Sequence, residues 1–143
     1  MARIDEIRSM SHKEATRLRK AGVRTTEALL KRAATRPDRA ELSKATDLPT
    51  SDLLKWANVA DLMRIKGIGG EYAELLGLCG VNTIKELRRR NGVALTAKIM
   101  SVNGRKDLVR RLPTESMVET WIQRASELEQ IVKHCVGSRF AWW

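Results

Sequence analysis

Apolar positions recur every three to four residues along almost the whole chain, and the strict alternation of a half-buried strand is missing from it. Ile4, Ile7 and Met10 space a first short helix, Ala15, Leu18 and Val23 a second, and Ala28, Leu29 and Ala33 a third. Ser11 followed by Glu14, and Thr83 followed by Glu86, have the spacing of a capping box, in which a hydroxyl and a carboxylate satisfy two helix-start amides reciprocally. Thr50 and Thr114 each follow a proline, and each is expected to cap the helix that carries Trp56 or Trp121. The longest helix is expected last, from Glu115 to Val136, with Val118, Trp121, Ile122, Ala125, Leu128 and Val132 as its core stripe. Most connections are short enough to make successive helices antiparallel neighbours. Two are longer: Ala33 to Leu48, where Pro37 breaks the chain before a small helix over Arg39 to Ala45, and Asn91 to Leu112, whose Asn91-Gly92 and Asn103-Gly104 pairs read as turns. The expected fold class is all-α.

The pattern repeats. Ile4 to Leu30 lies over Leu62 to Arg88 at a constant offset of 58, matching Ile4 to Leu62, Ile7 to Ile65, Ala15 to Ala73, Leu18 to Leu76, Gly22 to Gly80, Val23 to Val81, Thr25 to Thr83 and Leu29 to Leu87. LPTSDLLKW from Leu48 also resembles LPTESMVETW from Leu112, so Trp56 answers Trp121. Two matches in the same order predict a duplicated helical unit packed as one compact domain. Residues 1–59 form the first copy, 60–136 the second copy with the long last helix, and 137–143 a tail containing Phe140, Trp142 and Trp143.

Chemistry concentrates in LMRIKGIGGEYAELL, Leu62 to Leu76. Gly67, Ile68 and Gly69 have the G-h-G form of a hairpin between two helices, with Ala73 as the small residue at the helix crossing. Glycines at such a bend bring bare N–H groups close to a ligand. The helix that follows begins with unsatisfied amides and a positive dipole end, which suit a phosphate. A clamp of this kind holds the nucleic-acid backbone and reads no bases. Arg64 and Lys66 flank the hairpin, Gly70 and Tyr72 follow it, and Glu71 places a carboxylate in the first turn of the second helix. A purely structural tight bend is the competing reading. In the first copy Ser9 and Ser11 replace Gly67 and Gly69, leaving Ser9, Ser11, His12 and Lys13 as a degenerate secondary hairpin that can still donate hydrogen bonds to an anion.

Composition narrows the partner. The chain has 143 residues, and its 27 Lys and Arg against 17 Asp and Glu give +10 at pH 7. Such a surplus steers a protein toward polyanions. Arg88, Arg89 and Arg90 follow one helix, and Arg105, Lys106, Arg110 and Arg111 surround the second long connection; both groups are candidates for backbone tracking by charge. One Phe and one Tyr are too few for a single-strand stacking platform. Two His and the separated Cys79 and Cys135 make no self-contained zinc site, so no metal and no cofactor is expected. No signal-peptide stretch and no membrane-length apolar run appears, which predicts a cytoplasmic protein without membrane attachment.

The whole pattern resembles an uncharacterised bacterial domain-of-unknown-function family built of tandem helix-hairpin-helix units. The likeness rests on Ala60 to Asn91, preceded by LPTSDLLKW and followed by LPTESMVETWIQRA. The resemblance implies DNA binding, with Lys66, Gly67, Gly69, Gly70 and Tyr72 near the phosphate contact; Gly70 stands where many relatives place proline. An enzyme of the glycosylase type would need a base pocket and a catalytic Asp beyond the hairpin. Asp107 lies at a plausible distance without a recognisable pocket, so a non-enzymatic protein is expected. The expected function is a sequence-nonspecific DNA-binding module. The alternative is a helical adaptor for a protein partner, and RNA stays open because an amide clamp does not detect a 2′-hydroxyl.

Overall fold

The computed structural model describes residues 2–106, 109 and 111–133, with the backbone alone of Lys106. Asp107, Arg110, Cys135, Phe140, Trp142 and Trp143 lie outside the described residues. Among those described, the fold is all-α: eight α-helices, one short 3-10 helix, and a single isolated bridge between Arg3 and Thr25. The chain divides into two compact units, residues 2–61 with 131–133, and residues 62–130.

The first unit opens with the 3-10 helix Ile4–Glu6, followed by α1 (His12–Lys20), α2 (Thr26–Ala33), α3 (Arg36–Thr46) and α4 (Thr50–Leu62), whose last residue already belongs to the second unit. The predicted capping box forms at α1: Glu14 N–H donates to Ser11 Oγ at 3.2 Å, and Ser11 N–H donates to Glu14 Oε1 at 2.8 Å. Apolar side chains at helical spacing, Ile4, Ile7, Leu18, Leu29, Leu42, Leu53 and Trp56, are buried and form the core. Two buried charges close the unit through backbone groups. Arg39 donates to the carbonyls of Ala33 and Ala34, at the end of α2, and to that of Lys133 at 2.6 Å. Asp61 accepts the amides of Ile131 at 3.0 Å and Val132 at 3.2 Å. Burial, aided by neighbouring Arg36, lowers the Arg39 pKa from its ordinary value.

The second unit carries α5 (Gly70–Leu78), α6 (Ile84–Arg88), α7 (Gly92–Lys106) and α8 (Glu115–Glu127), with α8 against α6 and α7, and α5 against α7. Its core holds Ile65, Leu75, Leu76, Ile84, Leu87, Leu95, Ile99, Val118 and Trp121. Backbone details recur between the units. Val23 N–H reaches Leu18 O at 2.9 Å, and Val81 N–H reaches Leu76 O at 2.9 Å. Gly22 and Gly80 take φ of 91° and 88°, and the caps Thr25 and Thr83 share extended dihedrals. Glycine suits both turns because L side chains are strained at such φ.

Four expectations about elements are corrected. Pro37 does not break the chain: it sits in the first turn of α3, where its missing N–H costs nothing, and Thr35 caps that helix. Thr50 is the first residue of α4 instead of its cap, and the Pro49 carbonyl takes the amides of Asp52 and Leu53. The segment after Asn91 is the fifteen-residue helix α7, in which Leu95, Ile99 and Val102 bury one stripe. Asn91 Oδ1 accepts the Ala94 amide, so the Asn-Gly pair is a helix start. Finally, α8 stops at Glu127, and Leu128 is extended at φ −103°, ψ 142°. Val132 is buried as expected, but in a segment outside any helix, where the Ile131 and Val132 amides bond to Asp61 in place of helical carbonyls.

Candidate nucleic-acid interface

The hairpin of the second unit begins with two turns set by apolar burial. Ile65 N–H bonds Leu62 O at 3.1 Å, Ile68 N–H bonds Ile65 O at 3.0 Å, and both isoleucines are buried. Between them Gly67 takes φ 103°, and a Cβ there would stand 2.9 Å from Trp121 Nε1. Conformation and space therefore both require glycine at Gly67. Gly69 differs: it is extended, and nothing lies within 4 Å of where its Cβ would be.

Gly69 is the N-cap of α5 and offers no side-chain acceptor. The first intrahelical donor is Ala73 N–H to Gly69 O at 2.9 Å, which leaves the first-turn amides ahead of it without an intrahelical acceptor. Six other helix starts, those of α1, α2, α3, α6, α7 and α8, are closed by side chains. Ser11, Thr25, Thr35, Thr83, Asn91 and Thr114 each accept a first-turn amide. The second hairpin thus has an N-cap with no side chain and open space at that glycine, whereas the Ser11 hydroxyl and the Glu14 carboxylate close the start of α1. Ser9, His12 and Lys13 are exposed beside that closed start.

Cations around the second hairpin are arranged unequally. Lys66 is exposed, while Arg64 Nη1 donates to the Glu129 carbonyl at 3.1 Å. Arg124, which the sequence did not single out, donates to the Lys66 carbonyl at 2.6 Å and so adds a guanidinium to the hairpin. Its signal was hidden in sequence, because the two residues are 58 positions apart. Glu71 is exposed in the first turn of α5. Tyr72 is turned to packing: its hydroxyl donates to the Arg111 carbonyl at 2.9 Å, and its ring lies 5.2 Å from that of Trp121 at 49°.

The arginine run splits. Arg88 Nη2 donates to the Leu128 carbonyl at 3.1 Å, with its Nε buried and unpaired, and Arg90 Nη2 donates to the Gly80 carbonyl at 3.0 Å. Arg89 and Arg105 are exposed, and the side chain of Lys106 lies outside the described residues. Cys79 is a free, buried thiol whose pKa burial raises. Among the described residues, no group of three His, Cys, Asp or Glu side chains could hold a metal ion. No helix among them is long and apolar enough to cross a membrane.

Among the described residues these elements make an all-helical fold, with open space at Gly69 of the second hairpin. A family model described as Domain of unknown function (DUF4332) matches residues 8–128, and the chain belongs to that family. No curated protein and no solved structure matches it.

Proposed function

We propose that the protein is a non-enzymatic module that binds duplex DNA without sequence preference, holding a backbone phosphate at the second hairpin. In this reading the two units are duplicated helix-hairpin-helix units, the first of them degenerate. One observation carries the proposal: α5 begins at Gly69, an N-cap with no side chain and with open space where one would stand, beside exposed Lys66 and with Arg124 on the hairpin carbonyl. Amides at a helix start and nearby cations are what a nonbridging phosphate oxygen requires. The overall +10 charge supplies the longer-range attraction. Arg89 and Arg105 contribute charge, while Arg88 and Arg90 chiefly hold backbone carbonyls. The contact works through charge and amides alone, so RNA is a second polyanion that it would accept.

The test is fluorescence anisotropy with matched duplex and single-stranded DNA at two salt concentrations, comparing the native chain with Lys66→Glu and Gly69→Asp. Gly69→Asp is the sharper variant because an aspartate N-cap favours α5 by a few tenths of a kcal/mol while placing a carboxylate on the anion site. Expected is unchanged or slightly raised stability in urea with duplex affinity reduced about tenfold or more. Equal affinity in both folded variants removes the hairpin from the mechanism. The adaptor reading has its own support in Leu78, Val93 and Met100, apolar residues of the second unit that are 49%, 59% and 55% exposed. Absence of duplex binding by the native chain at low salt would favour it.

A further inference from the structure

The first unit, whose hairpin is closed by Ser11 and Glu14, carries its own cationic surface on α1. Four basic side chains lie on this helix, and their surroundings sort them. Arg19 is spent on Asp5, with Nη2 2.9 Å from the carboxylate, and Asp5 also pairs with Arg3. Lys13, Arg17 and Lys20 are exposed. Arg17 reaches the Asp47 carbonyl with Nη1 at 3.3 Å, which leaves its other guanidinium donors for a ligand. The acidic residue on α1, Glu14, is turned back to the Ser11 amide at the helix start.

Positions 13, 17 and 20 fall within about 60° around an α-helix and spread over about 10 Å along it. They form a ridge. Each strand of a duplex presents one phosphate about every 3.4 Å along its axis, so a 10 Å ridge spans about three phosphates of one strand. Leu18 and Ala15, on the opposite side of α1, are buried, which fixes the ridge outward.

We infer that Lys13, Arg17 and Lys20 form a second DNA-backbone site, on the first unit, that works by side-chain charge in place of hairpin amides. This rests on the nucleic-acid reading above and is independent of the hairpin contact. The ridge binds any duplex sequence and contributes steep salt dependence; His12, beside it at the first turn, is not required.

The experiment measures duplex affinity from 50 to 200 mM salt for four proteins. They are the native chain, the ridge variant Lys13→Gln/Arg17→Gln/Lys20→Gln, a control Lys31→Gln/Lys44→Gln/Lys55→Gln that removes equal charge from exposed positions of the same unit, and Gly69→Asp. All substituted lysines and Arg17 are exposed, so circular dichroism should show native helicity throughout. The expected result is a salt slope lower by about 3 in the ridge variant and by less than about 1 in the control, since each phosphate contact adds about 0.9 to the slope. Equal slopes in ridge variant and control overturn the inference, as does a native chain that binds no duplex. If Gly69→Asp binds like the native chain while the ridge variant loses its slope, the hairpin contact fails and the ridge stands.

Discussion

Gly67 and Gly69 lie two positions apart and serve different ends. Gly67 is held by backbone and packing: φ is 103° and Trp121 occupies the space a side chain would need. Gly69 has an ordinary extended backbone and an empty foreground, so neither dihedral nor packing requires glycine there, and the proposed function alone gives it a role. Gly67→Ala should therefore destabilise the second unit by about 1–3 kcal/mol, through left-handed strain and a displaced indole, read as a lower urea midpoint. Gly69→Ala should change the stability read the same way by less than about 1 kcal/mol. If both alanines cost the same, the distinction between a structural and an accessible glycine is wrong. This difference also explains why a Gly67 variant is a poor probe of binding: lost affinity would be confounded with lost packing.

At the scale of elements, helices whose signals are local were legible in the sequence. The Ser11 and Thr83 boxes, the Thr114 cap, and the buried stripe through Val118, Trp121 and Ala125 stand where short-range spacing puts them. The hairpin glycines and Lys66 were legible for the same reason. Where reading failed, a local signal had two meanings or a distant partner decided. Asn91-Gly92 is a turn dipeptide that also serves as N-cap and first helical residue, and the stripe Leu95, Ile99 and Val102 was the clue to α7. Past the last helix, Ile131 and Val132 bond to Asp61 some 70 residues earlier, which no periodicity records. The same distance effect concealed Arg124. Asp61→Ala should lower stability by about 2–4 kcal/mol, because the Ile131 and Val132 amides lose a charged acceptor in a buried place. Equilibrium urea unfolding checks this, and a change under about 0.5 kcal/mol would mean that the 131–133 segment adds nothing to its unit.

For the whole molecule, an excess of ten positive charges is an argument about partners rather than about folding. If duplex DNA binds the native state and not the unfolded chain, a concentration one hundred times Kd adds about 2.7 kcal/mol of stability by mass action. Thermal unfolding followed by circular dichroism should show a raised Tm with duplex and a return toward the free value as salt is added. A Tm that ignores duplex at low salt contradicts the DNA reading in a way that no single substitution can. The division into two units has a further consequence in the time order of synthesis. The first unit contains residues 2–61 but is completed by 131–133, so the amino-terminal half must wait on the ribosome for its final segment. At 5–20 residues per second, the 70 positions from Asp61 to Ile131 take about 4–14 s to translate. During that interval the Asp61 carboxylate lacks the Ile131 and Val132 amides and the Ala34 carbonyl lacks the Lys133 amide, so the unit encoded first is the last to close.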